Sequence, residues 1–275
     1  WELETALLSI YPHEHPYSYH SLGIIEDIAS ISVDDCQQSY NNYFVPNNAI
    51  LVIVGDIDPV ESLNIINNYF GGAKASISLP KNTNLTLEQM NSSDEITIFN
   101  VNNWPMHSYI HSYTMPTARN EDFLIVDFIR DILQQESSKF KTNIASSDIF
   151  NRGWIYMNQK LGNGMFGFIV EGEDVLDFKY HEAFVENFIA DLKKYGFENS
   201  LLKTAIKKNK VNLLSRNYDS KYIARSLGKH EIMHGNYKTY IDNIELFEKI
   251  TNEDIIRVVN QYFINEYKFV IQSDD

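Results

Sequence analysis

The segment 229–236, KHEIMHGN, places two histidines four residues apart with a glutamate directly after the first. On an α-helix that spacing turns His230 and His234 onto one face, with Glu231 beside them. Two imidazoles and one further donor make a zinc site with an open fourth position, where the ion lowers the pKa of its water and a carboxylate takes the proton. This is the H-E-x-x-H arrangement of the zincins, with Glu231 as base, His230 and His234 as ligands, and Glu245, Glu248 or Glu253 as downstream donors. The same residues admit a plainer account. They continue the stripe Ile223, Leu227 in steps of four, three and four, so they also finish the half-buried face of a helix. Gly235-Asn236 stops that helix immediately after the second histidine.

The other histidines carry weaker patterns. His13, His15 and His20 crowd a turn-rich segment, where alternating residues point different ways, so a structural role is expected. His107 and His111 fall in strand-like sequence and would share one face about 13 Å apart, too far for a common ion. His181 begins a helix and is expected to be solvated.

The elements that must position these residues include a repeat. ISVDDCQQSYNNYFVPNNAILVI, from Ile31, aligns without gaps with ITNEDIIRVVNQYFINEYKFVIQ, from Ile250, 219 residues later. Each copy reads as a Ser or Thr N-cap, acids in the first turn, an amphipathic helix ending at Tyr-Phe, and an extended apolar strand. The spacing implies a module of about that length, so the chain is expected to hold the C-terminal part of a first module and a complete second one. Helices are expected near Ile24–Ala29, over Val33–Phe44 and over Pro59–Phe70, with a strand at Ala49–Val54. The polar stretch after Gly71-Gly72 reads as a linker. The resulting division is 1–72, linker 73–95, and 96–275. The second part shows strands at ITIFNV, SYIHSYTM, GWIYMNQ, GMFGFIVEG and YKFVIQ. Its helices are EDFLIVDFIRDIL, HEAFVENFIADLKK, a long helical stretch Leu201–His234, and the repeated helix. Grouped strands followed by runs of helices argue an α+β fold with helices packed on a largely antiparallel sheet.

Composition sets outer limits. Asp and Glu outnumber Lys and Arg by 37 to 23, a formal charge of −14, and no basic stripe is present to neutralise phosphates. Nucleic acid and anionic membranes are poor partners for such a chain, and a groove in it would favour basic peptides. The longest apolar run, Ala49–Val54, is far below the roughly 20 residues of a membrane-spanning helix. Cys36, the one cysteine, excludes an internal disulfide and a thiolate metal cluster and fits cytoplasm or periplasm alike. The opening WELETALLSIYP lacks an initiator Met and a signal-like segment, so the sequence is expected to be a piece of a longer chain.

In order along the first part stand His15-Pro16-Tyr17, Gly23, Pro46-Asn47-Asn48-Ala49, Gly55-Asp56 and Phe70-Gly71. This succession resembles the rear of the catalytic domain of the pitrilysin/insulinase family of zinc metallopeptidases. The second part resembles that family's metal-free partner domain in element order and length. The resemblance implies tandem α+β modules closing around a chamber in which peptides are cut. It implies zinc held by an inverted H-x-x-E-H motif, a pattern found nowhere in these residues. Zinc is therefore expected upstream or on a partner half, not in this chain, which alone should not hydrolyse peptides. Many relatives supply, from the metal-free domain, an Arg and a Tyr seven positions apart after a segment like S-S-R-L-F. SSKF at Ser137–Phe140 matches it in part. Ungapped counting then puts Ala145 and Arg152 at those places, and an insertion recovers Tyr156, leaving Arg152 and Tyr156 as the candidates. The readings carried forward are a noncatalytic chamber wall and peptide-binding partner, a metal-free assembly subunit like the core proteins, and an independent zincin.

Overall fold

A computed structural model describes residues 2–79, 96–172 and 178–273. Most of the expected linker, 80–95, lies outside the described residues. The chain forms two compact units, Trp1–His20 with Leu85–Val211 and Asn243–Asp275, and Ser21–Asn84 with Asn212–Asp242. The units interleave along the chain, so compactness and the sequence repeat divide it differently.

The larger unit is built on five strands: β1 Ile96–Val101, β2 His107–Thr114, β3 Arg152–Asn158, β4 Met165–Gly172 and β5 Glu266–Ser273. Their order is β1-β5-β2-β4-β3. β1 runs parallel to β5, and the other three pairings are antiparallel. Every residue of β4 is buried, as a strand sandwiched between two layers must be. One sheet face is covered by helices α5 Asp122–Leu133, α6 Lys139–Ala145, α7 Phe178–Tyr195 and α11 Asn252–Tyr262. Aromatic rings dominate there: Phe166 and Phe168 of β4 meet Phe263, and Phe168 also meets Phe140 and Phe188. Fully burying each such ring contributes about 1.5–3 kcal/mol.

The opposite face packs Ile110, Met165, Ile169, Tyr267, Phe269 and Ile271 against Ala6, Leu7 and Ile10 of α1 Glu2–Leu8 and the residues just after it. His15 is buried there. Its Nδ1 accepts the Tyr17 N–H at 3.0 Å and caps the one-turn helix Pro16–Ser18, the structural role expected of it. Helix α11 is clipped to α5 by Arg257, which grips Asp122 with both terminal nitrogens (2.6 and 3.0 Å), while Tyr262 donates to the same carboxylate at 3.0 Å. The Arg257 hydrogen bonds hold that carboxyl below its usual range.

The smaller unit contains α2 Ile25–Ser30, α3 Val33–Tyr43, α4 Pro59–Phe70 and α9 Ser220–His234. Helix α8 Asn199–Arg216 and helix α10 Thr239–Lys249 run across the boundaries of the units. The expected stretch Leu201–His234 is thus two helices, broken at Asn217–Asp219, where Asp219 caps α9. The repeat reproduces itself in detail. Ser32 and Thr251 both form capping boxes, accepting from the N–H of Asp35 and Asp254 at 3.2 Å while those carboxylates accept back from the cap N–H.

One expected element fails: residues 49–54 form no strand. Their apolar pattern suits one, but a strand exists only through a neighbour that takes its N–H and C=O groups. Among the described residues every strand belongs to the sheet of the other unit. His181 also departs from expectation, being 3% exposed rather than solvated, with its ring against Phe150 and Tyr109.

Candidate functional site

His230, Glu231 and His234 occupy the last turn of α9, which ends at Gly235 in a left-handed conformation, φ 72°. Glu231 accepts the Tyr237 N–H on Oε2 at 2.8 Å. His230 Nδ1 lies 2.8 Å from Thr239 Oγ1, and the two imidazoles stand 4.8 Å apart, tilted by 38°. Burial, with His234 and Lys229 adding to it, lowers the pKa of His230 to about 4. The carboxylate is thus occupied in fastening the chain that leaves the helix, and one imidazole is tied to a hydroxyl. Among the described residues no group of three His, Cys, Asp or Glu is placed to hold a metal ion. Zinc needs three protein donors converging on one point, and this arrangement does not fit it. What it does fit is a helix C-terminus closed by a left-handed glycine whose N–H bonds the Glu231 carbonyl, with side chains fastening the turn that follows.

Arg152 and Tyr156 both lie on β3, four residues apart on the face that meets α1. The Arg152 guanidinium hydrogen-bonds Glu171 on β4 and sits 5.4 Å over the Trp154 ring. Glu171, 3% exposed, also accepts from the Ser108 hydroxyl at 2.8 Å, and Trp104 Nε1–H donates to Ser108 at 3.2 Å. The cation is neutralised by a buried carboxylate, and the pairing raises its pKa further. Tyr156 packs into the cluster beneath α1, where burial raises its pKa. The pair therefore shares a face but stands about 13 Å apart along the strand. Ala145 ends α6, and of the SSKF segment Ser138 caps that helix while Phe140 fills the core.

The sheet edges differ. On β3 the Gly153 carbonyl accepts from Lys141 Nζ at 2.8 Å and the Ile155 carbonyl from Gln134 Nε2 at 3.1 Å. Those side chains occupy acceptors that an added strand would need. Among the described residues the other edge strand is β1, which pairs with β5.

A charged cluster on the helix-covered face went unread in the sequence. Lys268 Nζ reaches Glu182 (2.7 Å), Glu186 (2.8 Å) and Glu266 (3.3 Å), and Glu266 lies 3.4 Å from the fully buried His111 Nε2. Its one signal was a lysine inside the apolar strand YKFVIQ. The His111 hydrogen bond, helped by Lys268, lowers the Glu266 pKa to about 2. A separate cleft of about 610 Å³ opens between α6, α7 and α8 over Phe184 and Phe188, with the Lys139–Glu198 ion pair at its lining.

No helix among the described residues is long and apolar enough to cross a membrane. Comparison with known proteins places the chain. The model of the Peptidase M16 inactive domain matches residues 30–209, more than half of it. The zinc protease PqqE of Helicobacter pylori is 19% identical over 251 residues, covering 90% of this chain and 56% of that protein. Among solved structures, a peptidase M16 inactive domain from Pseudomonas fluorescens superposes with a TM-score of 0.81 at 14% identity, over 98% of this chain and 64% of that one. A chain of complex III2 from Candida albicans gives 0.78 at 12%, over 98% and 65%. The chain thus spans a little over half the length of the curated relative, and these structural likenesses concern the fold. The α+β architecture, the largely antiparallel sheet and the inactive-domain match agree on one conclusion: the chain belongs to the peptidase M16 inactive-domain family, within the pitrilysin-type zinc metallopeptidases that its sequence resembles.

Proposed function

We propose that this chain is the noncatalytic region of a pitrilysin-like zinc metallopeptidase, serving as chamber wall and peptide-binding partner for a zinc-bearing half that lies upstream or on another chain. The observation that carries the reading is membership of an inactive-domain family by residues that contain no H-x-x-E-H. In this reading 1–72 is the rear of a catalytic-type module, 73–95 a linker and 96–275 the metal-free module, in a periplasmic or cytoplasmic setting. An extended peptide would add to the sheet through main-chain hydrogen bonds. The capping of β3 by Lys141 and Gln134 favours β1 as the receiving edge, and the net charge of −14 favours basic peptides.

The experiment has two arms. The chain alone, supplied with zinc, should cleave no peptide, and Glu231→Gln should change nothing; zinc-dependent cleavage abolished by that substitution would replace this reading with the independent zincin. In the natural assembly, a labelled basic peptide should bind more tightly than the same peptide N-methylated on alternate residues, by about tenfold for one or two lost hydrogen bonds. Equal binding would remove the clamp. A second reading, a metal-free assembly subunit, is favoured by the fold likeness to a chain of complex III2. An assembly that carries neither zinc nor an H-x-x-E-H segment would establish it.

A further inference from the structure

The hairpin loop between β3 and β4, residues 159–164, reads QKLGNG and contains the one Asn-Gly pair of the sequence, Asn163-Gly164. An asparagine before a glycine can close on itself, because no side chain on the second residue hinders the approach of its backbone nitrogen to the amide carbon. The fold admits no larger residue at that second position. A Cβ placed on Gly164 would collide with the Asn158 carbonyl oxygen.

Three segments of the larger unit meet on this loop. The Asn163 Nδ2 donates to the Met115 carbonyl at 3.0 Å, and the Gly164 carbonyl accepts the Met115 N–H at 3.0 Å. The pair thus grips, from both sides, the residue that follows β2. The buried Tyr11 hydroxyl donates to the Asn163 carbonyl at 3.1 Å. One residue earlier, the Gly162 N–H donates to the Tyr17 hydroxyl at 3.1 Å, and the Lys160 ammonium stands 5.1 Å over the Tyr17 ring. The loop is therefore a clasp that fastens residues 11–17 and the end of β2 to the β3–β4 hairpin.

From this we propose that Asn163-Gly164 is a self-modifying site whose reaction is braked by the clasp and, once complete, releases it. The Gly164 nitrogen loses its proton and bonds to the Asn163 Cγ, while the Cγ–Nδ2 bond breaks and ammonia leaves, closing a succinimide ring. Water then opens that ring at either carbonyl, giving aspartate or isoaspartate, and is the only co-reactant. Ring closure draws the side chain onto the peptide between 163 and 164 and turns that peptide. The bonds from Nδ2 to Met115, from Tyr11 to the Asn163 carbonyl and from Met115 to the Gly164 carbonyl hold both in place, so the site reacts from the opened clasp. In the aspartyl product the donor to Met115 is gone, and a carboxylate oxygen faces the Met115 carbonyl, acceptor against acceptor. The isoaspartyl product lengthens the backbone by one carbon. Either form loosens the hold on residues 11–17, whether or not the chain binds peptides.

Ageing the full chain in warm neutral buffer, followed by mass spectrometry and isoaspartyl methyltransferase labelling of the fragment spanning 159–165, reads the reaction. The mass gain of amide-to-acid conversion should fall on Asn163 and be absent in Asn163→Gln. It should run slower in the folded chain than in a free peptide of residues 160–166, by on the order of tenfold or more, as for a site reached by local opening. Tyr11→Phe deletes one bond of the clasp and keeps the ring, and should speed the reaction about fivefold, the factor set by one ordinary hydrogen bond. Asn163→Asp should speed amide exchange over residues 9–18 by on the order of tenfold, while β5 stays as protected as before. Equal rates in the folded chain and the free peptide, or a Tyr11→Phe rate equal to that of the wild type, would overturn the brake. Unchanged exchange in Asn163→Asp would overturn the release. An unmodified Asn163 in aged Tyr11→Phe would remove the site altogether.

Discussion

At Glu266 the chain places a carboxylate between His111 and Lys268, and the consequence is a defined acid sensitivity. Its pKa falls from the usual carboxylate value to about 2 in the folded protein. A depressed carboxylate contributes stability that is complete above the unfolded value, about 4.3, and is lost as pH falls through the folded one. The melting-temperature difference between the wild type and Glu266→Gln should therefore be at full size above about pH 5 and shrink steadily toward pH 2. A difference that stays constant over that range would show that Glu266 acts through packing alone. His230 is read the same way with the opposite charge form: burial lowers its pKa to about 4 and favours the neutral imidazole. Residues 230–234 have the spacing of a motif, and the structure gives two of them partners from beyond the helix. Spacing is local, whereas the Thr239 hydroxyl and the Tyr237 amide that occupy them arrive from a turn whose geometry the pentapeptide does not encode. Arg152 is a similar case, because its partner Glu171 is set by the register of β3 on β4.

Among the elements, helices with their own caps and periodicity were legible nearly to the residue, while Leu201–His234 proved to be two helices and α10 went unread. α4 runs over Pro59–Phe70 as expected, capped by Asp58 and opened by Pro59. Strands were legible only where a partner exists. The strand ITIFNV became β1 at the expected limits, while AILVIV, more apolar, formed none, because pairing belongs to two segments and not to one. α6 was read as a motif and is a short helix seated by Ser138. The repeat yields a test at this scale. Thr251→Ala removes the capping box of α11, whose buried face holds Ile255, Val258 and Val259. It should cost about 1 kcal/mol in urea unfolding followed by tryptophan fluorescence, with Thr251→Ser restoring most of it. A loss below a few tenths would mean that packing alone seats α11.

For the whole molecule, the division into a sheet-centred unit and a smaller unit without buried helix faces predicts unequal resistance to proteolysis. In the chain alone, thermolysin should cut first at Ile50, Leu51 or Val52, whose backbone has no ladder, and only much later at Phe269, Val270 or Ile271 inside β5. Mass spectrometry of the first fragments checks the order. Early cleavage in β5 would show that the sheet is not the stable part. The first copy of the sequence repeat falls in the smaller unit and the second in the larger. The interleaving of the compact units was not anticipated, because nothing local tells residues 2–20 to lie on the sheet of the larger unit.

The order of the strands has a consequence for how the protein is made. β5 fills the slot between β1 and β2, yet it is the last of the five to leave the ribosome. At roughly 5–20 residues per second, the chain between β2 and β5 takes on the order of ten seconds to synthesise, and throughout that time β2 offers one naked edge. Ser108, His111, Ser112 and Thr114 break up that strand with polar groups, the kind of interruption that discourages a waiting edge from joining another nascent chain. Ser108 and His111 also find partners, Glu171 and Glu266, once the sheet has closed, so the same polar groups serve the strand before and after the core exists.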